Sequence, residues 1–183
     1  MKYLKKIKYM NEDVLVSYDY TLVDENSKSV KYEFSDDFGN NFLVVFKNDT
    51  IGPANRPILG SSYEVIYFVE VDESEVTVDT DGSLVLLKNR SAKINKWNDR
   101  FWSIDKIVST KIYKLMETIL GDIVSDFLLK HPFAKMVRLE GLSKDDEVGL
   151  TKRTKLYKRH LSRNILTGYS VEDKGNKIFI VKK

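Results

Sequence analysis

The sequence predicts an α+β fold in which a mostly antiparallel sheet packs against one long amphipathic helix, followed by a C-terminal strand–helix–hairpin unit. Strand-type alternation of apolar residues dominates residues 14–87, whereas an apolar spacing of three and four residues runs through 104–129. The last fifty or so residues switch between the two patterns. The length suits a single domain spanning 1–183, with a strand-rich part at 14–87 and a helical and mixed part at 103–183.

The strand-rich part is predicted to form a sheet of about five or six strands, which is a typical size. Residues 47–62 hold two of the three prolines and lack periodicity, so they are predicted to be a long surface loop. The run Tyr63 to Val71 is typical of a central strand covered on both faces, and Asp81-Gly82 predicts a tight hairpin turn. The other predicted strands contain Val16 to Leu22, Val30 to Phe34 and Phe42 to Phe46.

The long helix is predicted to extend from Ile104 to Leu129. It ends at His131-Pro132, because the residue before a proline is disfavoured in helical geometry. At about 1.5 Å per residue, such a helix is about 40 Å long. Three aromatic residues just before it are predicted to pack over it: Trp97, Phe101 and Trp102.

The C-terminal unit begins with a predicted strand at Ala134 to Leu142. A second amphipathic helix is predicted around residues 151–166, with Gly168 after its end, and Gly175 marks the turn of a terminal hairpin. The apolar face of this helix consists of Leu150, Thr154, Tyr157, Leu161 and Ile165.

Composition and charge exclude several classes of function. The sequence has no cysteine, which excludes disulfides, thiolate nucleophiles, zinc–thiolate sites and iron–sulfur clusters. Thirty Lys and Arg against 27 Asp and Glu give a net charge of +3, so electrostatic recognition of a partner must be local. Charged residues interrupt the long apolar segment, and the sequence therefore predicts a soluble protein without a membrane partner.

Residues 151–166, TKRTKLYKRHLSRNIL, form a basic segment without an acidic residue. On a helix, its basic side chains form a stripe that suits the phosphates of a polyanion. The alternative is a solvated face, because acidic residues at 145–147 before the helix and basic residues toward its end complement the helix dipole. The candidate polyanion-binding residues are Lys152, Arg153, Lys155, Lys158, Arg159 and Arg163.

Two further candidate sites have structural explanations. Aromatic residues of the N-terminal strands, such as Tyr32 and Phe34, suit base stacking, but alternating aromatics are more typical of the buried face of a sheet. The acidic segment 72–82 offers carboxylates to Ca²⁺, yet it lacks the ligand spacing of a calcium loop and is predicted to be a solvated hairpin. No metal site is therefore predicted.

The sequence contains no recognised catalytic motif. Its two histidines, His131 and His160, have no neighbouring serine or carboxylate motif that indicates a triad. A P-loop, a dinucleotide-binding glycine motif and a zinc-protease motif are absent. These absences favour a non-enzymatic protein without a cofactor, although a dispersed carboxylate pair leaves no motif.

The C-terminal half combines the helix at Ile112 to Phe127, a short strand, a basic helix and a terminal hairpin. The residues that carry its motifs are Arg153, Lys155, Leu156, Tyr157, Arg159, Gly175, Phe179 and Lys183. Together with the opening strands YEFSDDFGNNFLVVF, this pattern resembles a family of small, uncharacterised proteins of tailed bacteriophages. The resemblance implies a viral protein that acts through protein–protein interaction. Its partner is another copy, a virion protein or a host or defence factor, and its location is the virion or the host cytoplasm.

The order strand, helix, strand, helix, strand near the C-terminus also looks like the last part of an acetyltransferase fold. In that fold a helix bearing Leu-Tyr, here Leu156-Tyr157, precedes the final strands. Such enzymes hold a pyrophosphate group in a glycine loop, which has no counterpart before Ile104. The two resemblances imply different functions, and nucleic-acid binding by the basic helix at 151–166 is the third alternative.

Overall fold

The computed structural model describes residues 17–50, 62–104, 112–140, 152–175 and 177–183, which form eleven strands and two helices. The strands are β1 (Tyr20–Glu25), β2 (Ser29–Ser35), β3 (Asn41–Asn48), β4 (Ser62–Glu70), β5 (Val76–Val78), β6 (Leu84–Leu86), β7 (Asn89–Lys96), β8 (Phe101–Ile104), β9 (Met136–Glu140), β10 (Tyr169–Lys174) and β11 (Lys177–Lys182). Helix α1 covers 112–130 and helix α2 is Lys152–Asn164. The middle of α1, Glu117–Ile123, is π-helical, and its ends, Ile112–Met116 and Val124–Lys130, are α-helical.

The sheet branches at β4. One edge of β4 pairs with β3, and β2 and β1 follow beyond β3. The other edge pairs with β9 near its start and with β8 near its end. Beyond β9 lie β11 and then β10, and beyond β8 lie β7, β6 and β5. Every pair is antiparallel except β4 and β9, so the predicted mostly antiparallel sheet is confirmed, but the parallel pair was not predicted.

The main core lies between the sheet and α1, because strands and helix each present one apolar face. Alternate residues of β2 and β3 point toward the helix, and Tyr32 and Phe46 are fully buried there. From α1, Ile123 and Phe127 are also fully buried, and the Phe127 ring stacks on Phe46 with centroids 3.9 Å apart. Burial of apolar area on this scale is the main driving force for folding.

The predicted start of the long helix at Ile104 is wrong. Ile104 ends strand β8, where Phe101 and Trp102 pair with Glu70 and Val69 of β4. Aromatic residues favour strands, and pairing with an existing strand overrides a helical spacing of apolar residues.

The predicted packing of the aromatic residues over the helix is also wrong. Trp102 packs in a separate cluster with Val71, Leu86 and Ile94, Phe101 packs with Leu43, Val45 and Phe68, and Trp97 stacks on Phe68.

The remaining predicted elements are present. The hairpin around Gly82 is formed by β5 and β6, and the C-terminal unit consists of β9, α2 and the β10–β11 hairpin. Gly82 and Gly175 have φ angles of 82° and 63°, which explains why glycine occupies both turns. Residues 51–61 of the predicted loop, Leu150 and the strand residues before 17 lie outside the described ranges.

Candidate functional site

Strand β4 changes its neighbour partway along one edge. Ser62 to Val65 pair with β9, and Val69 and Glu70 pair with β8. Among the described residues, none pairs with Ile66–Phe68 on this edge, and we call this stretch the β4 gap. The stretch lies between the β9-paired and the β8-paired parts of β4.

Two tyrosine hydroxyl groups meet at the β4 gap. Tyr67 is the central residue of the gap, and its hydroxyl lies 3.1 Å from that of Tyr157 on α2. Tyr157 is buried, and Thr154 and Leu161 on the same face of α2 are completely buried, which confirms the predicted apolar face at these positions. Each hydroxyl both donates and accepts a hydrogen bond, so the pair can offer a proton to a group bound in the gap.

A second polar cluster lies where α2 packs on the π-helical section of α1. His160 Nε2 is 2.9 Å from Glu117 Oε2, and the two side chains are only 10% and 11% exposed. Asn164 Nδ2 donates to the same Glu117 oxygen at 3.3 Å and lies 3.1 Å from His160 Nε2. We call Glu117, His160 and Asn164 the Glu–His–Asn cluster.

The π-helical section and one glycine accommodate Glu117. The N–H of Val124 reaches back five residues to the carbonyl of Ile119, which widens the helix at this point. A Cβ atom on Gly121 would lie 2.8 Å from Glu117 Oε1, so a larger residue at 121 would require the end of the Glu117 side chain to shift. Glycine in a helix interior is unfavourable by about 1 kcal/mol relative to alanine. Helix α1 is therefore locally weakened where it holds this carboxylate.

Burial decides the charge of both histidines. Desolvation lowers the pKa of His160 below its usual 6.5. The charge of Glu117 raises this pKa, but by less than burial lowers it, and the positive charge of Arg163 lowers it further. Burial likewise lowers the pKa of His131, which stacks on Phe127 at 4.5 Å. Both imidazoles are thus neutral at neutral pH, and His160 is available as a proton acceptor.

The structure divides the predicted polyanion-binding residues into three groups. Lys155, Arg159 and Arg163 are exposed on the outer face of α2, and within the described ranges none of them has a carboxylate partner. Lys158 pairs with Asp173 of β10. Lys152 and Arg153 begin the helix, but their side chains lie outside the described part of the structure, as do residues 145–147.

The helix-dipole explanation of this basic stripe depends on residues 145–147, which lie outside the described ranges. In the described helix, Lys152–Asn164, the last turn contains Arg163, where the dipole favours a cation. The solvated-face alternative therefore stays a prediction.

The other candidate sites have structural roles. Tyr32 and Phe34 are buried in the main core, as expected for the inner face of a sheet. In the acidic hairpin, Asp81 pairs with Lys93 at 2.8 Å. Over the described ranges, no three His, Asp or Glu side chains are grouped to hold a metal ion. No helix in the described part of the chain has the length and apolar character needed to cross a membrane.

No protein family model, curated protein or solved structure matches this chain. The resemblance to tailed-phage proteins therefore stays a prediction.

Sequence reasoning missed three residues of the candidate site: Tyr67, Glu117 and Asn164. Glu117 and Gly121 lie four residues apart, which places them on the same side of the helix, and this spacing was the only available signal. Asn164 follows His160 by four residues, which puts both on one side of α2. No sequence pattern identified Tyr67, because tyrosine is common within apolar strands.

Proposed function

We propose that this chain binds a thioester acyl donor in the β4 gap and transfers its acyl group. The observation that carries the proposal is the end of the described pairing between the parallel strands β4 and β9 at Val65, with the Tyr67–Tyr157 pair two residues beyond it on β4. The order α1, β9, α2 and terminal hairpin is also the one that the acetyltransferase-like resemblance implied around Leu156-Tyr157, although β5 to β8 lie between β4 and α1.

The β4 gap suits a narrow, extended ligand that carries amide groups. A strand edge without a neighbour binds such a ligand through its backbone N–H and C=O groups, as in recognition by strand addition. The pantetheine arm of coenzyme A is a linear chain with amide bonds and ends in the thioester. A ligand of this class, placed along Ile66–Phe68, brings the reactive group to the tyrosine pair.

The tyrosine pair supplies the proton that the leaving group needs. In the proposed reaction an amine, a hydroxyl group or water attacks the thioester carbonyl carbon, the carbon–sulfur bond breaks, and its electron pair goes to sulfur. The thiolate then takes a proton from the Tyr157 hydroxyl, and a proton delivered by water restores the tyrosine. The acyl group ends on the attacking atom.

Release of coenzyme A tests this function. The protein has no cysteine, so a thiol reagent added to protein and acetyl-CoA reports only the coenzyme A that is released. We expect calorimetry to detect binding of acetyl-CoA. We also expect Tyr157→Phe to lower the rate of thiol release by about 10²-fold, because it removes the proton donor, with binding changed less than about threefold.

Tyr113→Phe is the matched control, because Tyr113 lies exposed on α1. It is expected to retain the wild-type rate. Wild-type protein that neither binds acetyl-CoA at millimolar concentration nor releases thiol contradicts the proposed function.

Nucleic-acid binding by α2 is the second candidate function. It is favoured by the exposed, unpaired positions of Lys155, Arg159 and Arg163 within the described structure, which form a stripe along one face of the helix. Each neutralised phosphate adds to the salt dependence of binding. We expect the double variant Lys155→Glu, Arg159→Glu to weaken binding to duplex DNA and to reduce the slope of log affinity against log salt by about 2.

The control for this experiment is Lys88→Glu, Lys93→Glu, which makes the same change in net charge on the β5–β7 side of the sheet. An equal loss of affinity in the control, or binding that does not depend on salt, argues against recognition by α2.

The interaction role predicted from the sequence, as a virion component or an accessory factor, remains a further proposal. It is supported by the exposed apolar side chains of Val78 and Leu84, which face each other across the β5–β6 hairpin. Mass spectrometry of purified phage particles tests the virion form of this role.

A further inference from the structure

We propose that His160, held by Glu117, accepts the proton of the attacking nucleophile in the acyl transfer proposed above. The inference rests on that function and adds the group that activates the acceptor substrate.

The Glu–His–Asn cluster is not required for packing. Leu115, Ile119 and Leu120 surround Glu117 in sequence on α1 and are buried and apolar. Replacement of a buried ion pair by well-packed apolar residues is often neutral or stabilising. Here the chain instead provides a π-helical section, a glycine at 121 and an amide from Asn164 to hold one carboxylate. π-Helical sections of this kind are frequent at functional sites.

The cluster orients the imidazole as a base. Glu117 Oε2 lies 2.9 Å from His160 Nε2, so we assign the proton of the neutral ring to Nε2, where it is donated to the carboxylate. The lone pair of this tautomer is on Nδ1, which is the nitrogen that can accept a proton. Asn164 donates to the same carboxylate and keeps it in place. A base oriented by an acceptor, which is itself held by a third group, is the general arrangement for activating a nucleophile.

The position of His160 on α2 brings this base close to the proposed proton donor. His160 follows Tyr157 by three residues, and side chains at this spacing are neighbours on a helix, with Cβ atoms about 5–6 Å apart. Tyr157 in turn contacts Tyr67 at the β4 gap. One turn of α2 thus carries both a proton donor for the leaving thiolate and a proton acceptor for the attacking group.

The proton balance of the reaction is complete with these two residues. As the nucleophile forms its bond to the carbonyl carbon, its proton moves to His160 Nδ1. As the carbon–sulfur bond breaks, sulfur keeps the electron pair and takes the Tyr157 proton. His160 returns its proton to water and Tyr157 recovers one from water, so no other reactant is needed.

Thiol release from acetyl-CoA by the full chain tests the role of His160. His160→Gln retains a side-chain donor toward Glu117 but is not a base. We expect it to bind acetyl-CoA within about threefold of the wild type and to release thiol about 10²–10⁴-fold more slowly. Ser162→Ala, at an exposed position of the same helix, is the matched control and is expected to keep the wild-type rate.

The pH profile supplies a second readout that a structural role would not produce. The wild-type rate should fall as the pH drops through the pKa of His160, since the protonated imidazole is not a base. Glu117 raises the pKa of His160, so in Glu117→Gln this fall should move to lower pH. A shift in that direction links the carboxylate to the titration of the base.

The outcomes separate the two proposals. Binding and turnover by the wild type with an unchanged rate in His160→Gln overturn the role of His160 and leave acyl transfer in place. Wild-type protein without binding or turnover overturns both. If circular dichroism shows that His160→Gln does not fold, the Glu117→Gln variant decides, and a pH profile identical to that of the wild type overturns the role of His160.

Discussion

Replacement of Phe127 by alanine is expected to lower the free energy of unfolding by about 3–5 kcal/mol. The side chain is fully buried, stacks on Phe46 at 3.9 Å and meets Tyr63 edge-on at 4.9 Å. The truncation loses the transfer free energy of the ring and leaves a cavity where α1 rests on the sheet. Urea unfolding followed by circular dichroism measures the effect, with an unchanged slope if the unfolded state is unaffected.

Phe133→Ala is the control for this prediction, because Phe133 lies just beyond the same helix and is 70% exposed. Its effect should stay within about 0.5 kcal/mol. A loss below about 1 kcal/mol in Phe127→Ala is incompatible with the described contact between α1 and the sheet.

His160→Leu is expected to destabilise the protein by about 3–5 kcal/mol at pH 7. It leaves the Glu117 carboxylate buried with Asn164 as its remaining partner in the cluster. The loss should be smaller at pH 5. The reason is that the wild type itself becomes less stable as the pH falls, whereas the variant lacks this imidazole.

The sign of the wild-type effect follows from the lowered pKa of His160. Because the folded state holds this proton less tightly than the unfolded state, the stabilisation is complete above the unfolded pKa of about 6.5 and is lost as the pH falls below it. Urea unfolding of the wild type and of His160→Leu at pH 7 and pH 5 measures how the loss of stability depends on pH.

Two further variants isolate the cause of the His160→Leu effect. Adding Glu117→Leu to His160→Leu removes the buried charge and should restore most of the lost stability. Arg159→Leu changes an exposed neighbour on α2 and should shift stability by no more than about 0.5 kcal/mol. Equal losses in His160→Leu at both pH values, without recovery in the double variant, rule out an uncompensated carboxylate as the cause.

The proposals on function depend on one structural relation, the packing of α2 against α1 and β4. Tyr157 reaches the sheet and His160 reaches the π-helical section from the same helix. The outer face of α2 carries Lys155, Arg159 and Arg163, so the same helix presents the candidate polyanion surface on its opposite side. Variants of the inner and outer faces can therefore separate acyl transfer from nucleic-acid binding.

The sequence alone determines most of the local elements, because their signals are short-range. Alternating apolar residues define β2 and β3, Asp81-Gly82 defines a turn, and Pro132 ends α1. The apolar face of α2 follows from Thr154, Tyr157 and Leu161, which recur at helical spacing. Each of these patterns reflects a steric or burial preference that acts within a few residues.

Only the tertiary structure decides the rest. Ile104 belongs to a strand because it pairs with Ile94 of β7, although its spacing from the following apolar residues is helical. The β4 gap exists because β8 and β9 occupy different parts of one strand edge, and Glu117 meets His160 because α2 packs on α1. These features are contacts between residues far apart in the chain, so their energies depend on burial and pairing that no local pattern contains.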